Sequence, residues 1–266
     1  MIVSCCNYLI LFLAQILATI WAIFFIPSVK NSIYFNQGIR DNEELVPETL
    51  THDRITNAFA LIWMHLKRAY KNPVVFLWSL YYALCYGLNV QIINYIQLLW
   101  QEIDGNQGLI WNGAVEAILT ILGAVFTLLA GKFHMNMLLK RQKIIIILVF
   151  LSFAQGIAVI FAAKSLTLLS CYIAYVCFGV LYCFGITIAA SEIAKNLFDE
   201  CFGLIFGLNT LIALTLQTVL TLTVVSSGFK LSVVGQFYVY GAFYCALGLM
   251  YVFSLFLNFN KDQIEK

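Results

Sequence analysis

The chain has 266 residues, of which 62% are hydrophobic and 11% charged, with a formal net charge of +2 and a mean hydropathy of +0.89. That apolar fraction lies well above the roughly 45–50% of a soluble globular domain. With so small a basic surplus, the composition excludes a water-soluble fold, extended disorder and nucleic-acid binding, and it places the chain in a lipid bilayer.

A bilayer core about 30 Å thick takes about 20 mostly apolar residues per helix. Taken in chain order, apolar runs bounded by charge extend from Ile2 to Ile26, Val74 to Trp100, Leu109 to Ala130, Ile144 to Ala163, Leu166 to Ala190, Phe202 to Ser226 and Val233 to Asn258. They predict an all-α membrane protein with seven transmembrane helices. The first run has no basic lead-in and no small-x-small cleavage site, and it is too long for a signal-peptide core, so it reads as a true span.

Between the first and second runs lies the longest polar stretch, with the acidic residues Asp41, Glu43, Glu44, Glu48 and Asp53 beside six basic ones. Within it Ile55, Ala58, Phe59, Ile62, Leu66 and Ala69 recur at helical spacing next to Lys67, Arg68 and Lys71. That pattern fits an interfacial amphipathic helix or an ordinary basic lead-in to the next span. The expected organisation is a transmembrane helix over residues 1–26 that belongs to a preceding N-terminal bundle, a central cytosolic linker over 27–73, a six-helix bundle over 74–258 and a cytosolic tail over 259–266.

Lys and Arg fix the orientation, because they gather in cytoplasmic loops. Lys30, Arg40, Arg54, Lys67, Arg68, Lys71, Lys132, Lys140, Arg141, Lys143, Lys195, Lys261 and Lys266 fall on one side, and only Lys164 and Lys230 on the other. The N-terminus is therefore expected outside and the C-terminus in the cytosol. An outside start without a cleavable signal is unusual for a complete protein and ordinary for a segment of a longer one.

Polar groups at membrane depth are costly and face a bundle interior or a watery cavity. The second run carries Gln91, Asn94 and Gln97 at steps of three, with Tyr95 four residues from Gln91, a row of uncharged donors and acceptors that could line a solute path or join helices. Glu116 is the one acid well inside a run, and no Lys or Arg lies in the middle of any run. Its partner is then a cationic ligand, a proton, a base on a helix outside this chain, or a structural hydrogen bond. Tyr172, Tyr175 and Tyr182 share a face with Gly179 between them, suited to stacking a flat aromatic cation or to packing. Asn209 and Gln217 lie two turns apart in the sixth run, and helix pairing is the simpler account of at least one.

No catalytic motif is present: there is no H-E-x-x-H, no paired intramembrane aspartate and no G-x-S-x-G with a usable His. No metal site or cofactor is expected. Cys85, Cys171, Cys177, Cys183 and Cys245 lie inside spans without metal-binding spacing and read as packing residues. Gly203 and Gly207 form a small-xxx-small pair expected to pack closely on another helix. A seven-helix receptor is disfavoured by the long first cytosolic loop, the proline-free spans, and the absence of an acidic-arginine-aromatic triplet after the third run.

Several stretches together carry a family resemblance: Trp78-Ser79-Leu80-Tyr81-Tyr82-Ala83-Leu84, Asn94-Tyr95-Ile96-Gln97-Leu98-Leu99-Trp100, Asn112-Gly113-Ala114-Val115-Glu116-Ala117, the run from Phe206 to Leu214, and Gln236-Phe237-Tyr238-Val239-Tyr240-Gly241. The chain resembles the reduced folate carrier and thiamine transporter family, solute carrier family 19. That resemblance implies a major-facilitator fold of twelve helices, of which this chain would hold the sixth to the twelfth. It also implies vitamin transport by alternating access at the plasma membrane, with the missing N-terminal bundle or a second copy completing the pathway. Folate-type members place basic residues where this chain has Gly179 and Gln217. Their replacement here favours a cationic vitamin such as thiamine over a folate or pteridine. Asn94 matches a family substrate-contact position and Glu116 a family acidic position, while Glu192 stands where the family usually has Gln. The resulting candidate substrate-binding set is Asn94, Gln91, Gln97, Tyr95, Glu116, Tyr175, Gly179 and Gln217.

Overall fold

The computed structural model describes residues 16–17, 19–21, 52–105, 111–136, 141–197, 201–226 and 228–264. Its helices are α1 (His52–Lys71), α2 (Pro73–Asp104), α3 (Asn112–Asn136), α4 (Arg141–Lys164), α5 (Leu168–Lys195), α6 (Phe202–Leu220) and α7 (Val233–Ile264). Helix α6 runs on into a π-helical segment, Thr221–Ser226. No strand occurs among the described residues. Six stretches, in α2 to α7, are long and apolar enough to cross a membrane. The first expected span, Ile2 to Ile26, and the linker up to residue 51 lie outside the described residues, except for helical residues 16–17 and 19–21.

Helix boundaries fall where the local chemistry sets them. Asn72 caps α2 by accepting from the Val74 amide at 3.0 Å, Pro73 occupies the first turn, and Gly105 at φ +55° closes the C-terminus in the left-handed conformation. Thr167 caps α5 through the Ser170 amide. Helix α7 continues to Ile264, past the end of its apolar stretch at Leu255.

The chain divides into a unit of residues Met1–Met64 and a compact unit of His65–Lys266. The division falls within α1. The last turns of α1 join the bundle because Ala69 is buried and Leu66 and Tyr70 pack on the core. The Tyr70 hydroxyl donates to Asn209 Oδ1 at 2.7 Å, and Asn209 Nδ2 donates to Ser79 Oγ at 3.1 Å. Burial pushes the Tyr70 phenol above its usual range, with a bond to Ser79 opposing, so it remains a donor at physiological pH.

In the bundle α4 packs on α7 and α5, α3 packs on α5, and α2 touches α5, α6 and α7. Helices α4 and α7 approach closely: a Cβ at Gly156 would come within 2.6 Å of Cys245 Sγ and 2.9 Å of the Gly241 carbonyl oxygen. Helices α2 and α7 run antiparallel along a seam of tyrosines. Tyr244 donates to the Cys85 carbonyl at 3.1 Å, Tyr251 donates to the Leu77 carbonyl, and Tyr240 accepts from Gln91. Each phenol brings a large apolar ring into the core and still satisfies its hydroxyl. The carbonyls loosened where α6 widens are taken up by the following turn, with Gly228, Phe229 and Leu231 amides donating to Leu222, Thr223 and Val224.

Gly203 and Gly207 do not pack as expected. Both are exposed, and nothing lies within 4 Å of the point where a Cβ would sit. Helix α6 turns its Asn209 and Ala213 side inward, which leaves the glycines on the opposite face.

Candidate functional site

At 100° per residue, steps of three drift backwards by about 60° each, so Gln91, Asn94 and Gln97 fan across about 120° of α2. The structure divides them accordingly. Gln91 is fully buried, Tyr95 is half-buried, and Asn94 and Gln97 are exposed without a side-chain hydrogen bond among the described residues. The row expected on one side is therefore two groups with different surroundings.

Gln91 centres an interhelical network. Its Nε2 donates to the Tyr240 hydroxyl at 2.9 Å, and its Oε1 accepts from Gln217 Nε2 and the Thr221 hydroxyl, both at 3.0 Å. Every hydrogen-bonding atom of the Gln91 amide is thus engaged across α2, α6 and α7, and the structure gives Gln217, like Asn209, a helix-pairing partner. Gly179 is a packing position as well. It is buried, and a Cβ there would collide with the Leu119 side chain of α3, so the gap foreseen between the tyrosines is already filled.

Glu116 and Tyr175, singled out separately in the sequence, meet. The Tyr175 hydroxyl donates to Glu116 Oε1 at 2.9 Å, and one turn away Tyr172 donates to Asn112 Oδ1 at 2.8 Å. Positions 112 and 116 on α3 face 172 and 175 on α5, giving two parallel rungs. Trp100 lies edge-on to both rings, with centroids 4.9 Å from Tyr172 and 5.3 Å from Tyr175. Glu116 is only half-buried, and none of the described residues forms an ion pair with it. The result is a half-buried carboxylate oriented by one phenol whose ring packs edge-on against Trp100.

A second feature was not foreseen. A groove of about 480 Å³ runs between α2, α5 and α6, lined by Tyr82, Tyr86, Tyr182, Thr187, Ser191 and Phe206 among others. Tyr82 and Tyr86 stack in parallel, 6.0 Å apart and 3° from coplanar, and Phe206 stands edge-on to Tyr82 at 5.6 Å. Of the tyrosines named in α5, only Tyr182 lines this groove. The i, i+4 pair Tyr82 and Tyr86 was the available sequence signal. By helical position Tyr82, Tyr86 and Gln97 lie within about 60° of one another on α2, and Asn94 sits between them and Gln91. Beside the groove Glu192 is paired with Lys195 at 3.6 Å. A larger cleft of about 580 Å³ between α3 and α5, lined by residues such as Val115, Ile118, Leu169 and Ile173, offers almost no polar group to a solute.

The reduced folate carrier family model matches residues 2–239. Mouse (Mus musculus) thiamine transporter 1 is 34% identical over 208 residues, covering 77% of this chain and 41% of that protein. Human (Homo sapiens) thiamine transporter 2 is 34% identical over 222 residues, covering 82% and 43%. Folate transporter 1 of Caenorhabditis elegans is 31% identical over 263 residues, covering 94% and 57%. The chain spans about half the length of the curated relatives it matches.

Proposed function

Because this chain belongs to the reduced folate carrier family, we propose that it forms the C-terminal part of a vitamin carrier, helices six to twelve of a major-facilitator architecture. Thiamine, an aromatic organic cation, is its substrate. In this reading residues 1–26 are the sixth helix, the N-terminus lies outside and the C-terminus in the cytosol of the plasma membrane. Residues 74–258 form the bundle that rocks against a preceding one to give alternating access.

The observation that carries the substrate assignment is Glu116, held by Tyr175 beside Trp100 with no cationic partner among the described residues. A dianionic folate would bring negative charge to that carboxylate, whereas a thiazolium would complete it. Asn94 and Gln97 supply neutral polar contacts from α2, Gln97 from the side that also bears the stacked Tyr82 and Tyr86. The exposed glycines of α6 leave a shallow surface for the facing bundle. Names of relatives include both thiamine and folate transporters, so the test sets the two against each other. Cells expressing the intact carrier should take up labelled thiamine, and excess unlabelled thiamine should abolish that uptake while folate leaves it intact. Folate uptake inhibited by reduced folates and indifferent to thiamine would overturn the assignment.

A further inference from the structure

Helix α1 stops at Lys71, and α2 begins its membrane-length apolar stretch at Pro73. Between them Asn72 is extended, at φ −73° and ψ 113°, so α1 is a separate helix whose last turn sits at the edge of a span. Along α1, Phe59, Trp63, Lys67 and Lys71 follow one another at steps of four. Such steps advance by about 40° each, so the four side chains form one ridge that winds from about 80° at Phe59 to about 200° at Lys71, measured from the buried Ala69. Phe59 is 67% exposed and Trp63 68% exposed. Lys67 and Lys71 are exposed as well, and neither has an ion pair or hydrogen bond among the described residues. After Asp53, its second residue, α1 contains no acid.

We propose that this ridge of α1 docks on the bilayer surface, with Phe59 and Trp63 at headgroup level and Lys67 and Lys71 holding the phosphates of anionic phospholipids. Two large rings left in water beside a membrane are unfavourable, and the headgroup layer is where an indole with an apolar body and a polar N–H settles. The lysine ammoniums, one and two turns further along, meet the negative charge that layer carries. The pairing of chemistries selects lipid: the acidic residues of the preceding linker would satisfy the lysines and leave the rings exposed, whereas an anionic lipid surface takes both. The inference rests on α2 being a membrane span, and on the expected cytosolic side of α1, where anionic lipids concentrate. It does not depend on which solute the carrier moves.

The test uses the intact carrier in nanodiscs of phosphatidylcholine, alone or mixed equally with phosphatidylserine, without solute. The emission of Trp63 is isolated as the difference between the intact carrier and Trp63→Phe, and lipids brominated near the headgroup should quench it. A difference signal that the brominated lipids leave unquenched would mean that Trp63 packs on protein, and it overturns the proposal. For the lysines, the phosphatidylserine that stays with the carrier on extraction from the mixed bilayer is compared with that kept by the double variant Lys67→Gln and Lys71→Gln. Glutamine is about as good a helix former as lysine, so α1 is preserved. A lysine near an anionic surface is worth about fivefold in binding, so retention of phosphatidylserine relative to phosphatidylcholine should fall on the order of fivefold or more at low salt. Equal retention by the two proteins would give the lysines another partner, such as the acidic linker, and equally overturns the proposal.

Discussion

The Tyr175 hydroxyl reaches across from α5 to donate to Glu116 Oε1 on α3 at 2.9 Å. The bond fixes the carboxylate's direction without neutralising it, as a lysine or arginine would. Tyr175→Phe should therefore leave the protein folded and the charge present while the carboxylate loses its orientation. A charge-assisted hydrogen bond contributes about 1.5–3 kcal/mol, so KM for thiamine should rise on the order of tenfold, with protein at the membrane unchanged. An unaltered KM would mean that the phenol only packs.

Asn94 and Gln91 lie one turn apart and should behave in opposite ways. Asn94→Leu removes an exposed amide with no partner among the described residues, so uptake should fall while Tm holds. Gln91→Leu removes three interhelical bonds, and Tyr240, Gln217 and Thr221 keep only same-helix partners, Gln236 and each other. Each lost bond costs about 0.5–1.5 kcal/mol, and Tm should drop by roughly 2–10 °C. Thermal unfolding and uptake measured together on both variants separate the roles.

Tyr86→Leu tests the groove. The stacked pair Tyr82 and Tyr86 presents π-faces that contribute about 0.5–2 kcal/mol to an aromatic cation. The substitution should raise KM by about two- to thirtyfold and spare Tm, because Tyr86 is only half-buried. A fall in Tm with KM unchanged would make the stack structural.

Gly156→Leu tests the tightest helix pair. Its side chain would enter space held by Cys245 Sγ and the Gly241 carbonyl, and neither backbone can give way cheaply. The variant should fail to reach the membrane in folded form, as read by size-exclusion chromatography after detergent extraction. A monodisperse, active variant would contradict the α4 and α7 packing.

The spans were legible because apolar length is a one-dimensional signal: Val74, Ile144, Phe202 and Val233 each mark a described helix start to within a few residues. What depends on register between helices was not legible. Glu116 and Tyr175 were each conspicuous, yet only packing of α3 on α5 brings them together. Gln91 was grouped with Asn94 because steps of three resemble a stripe, whereas the rotation of about 60° between them is enough to leave one buried and the other exposed. Gly203 and Gly207 looked like a packing pair, but which helix face turns inward is set by Asn209 and Ala213. The π-helical turn that delivers Thr221 to Gln91 leaves no mark in composition.

The most direct measurement is equilibrium binding of thiamine to the purified intact carrier and its Glu116→Gln variant by calorimetry. The substitution keeps the size of the side chain and an acceptor for Tyr175, and removes only the charge. Thiamine affinity should fall at least about tenfold in the variant, in line with the loss of a charge-assisted contact, while Tm stays the same. Equal affinity in the two proteins, or no thiamine binding in either, would contradict Glu116 as the residue that meets the cation.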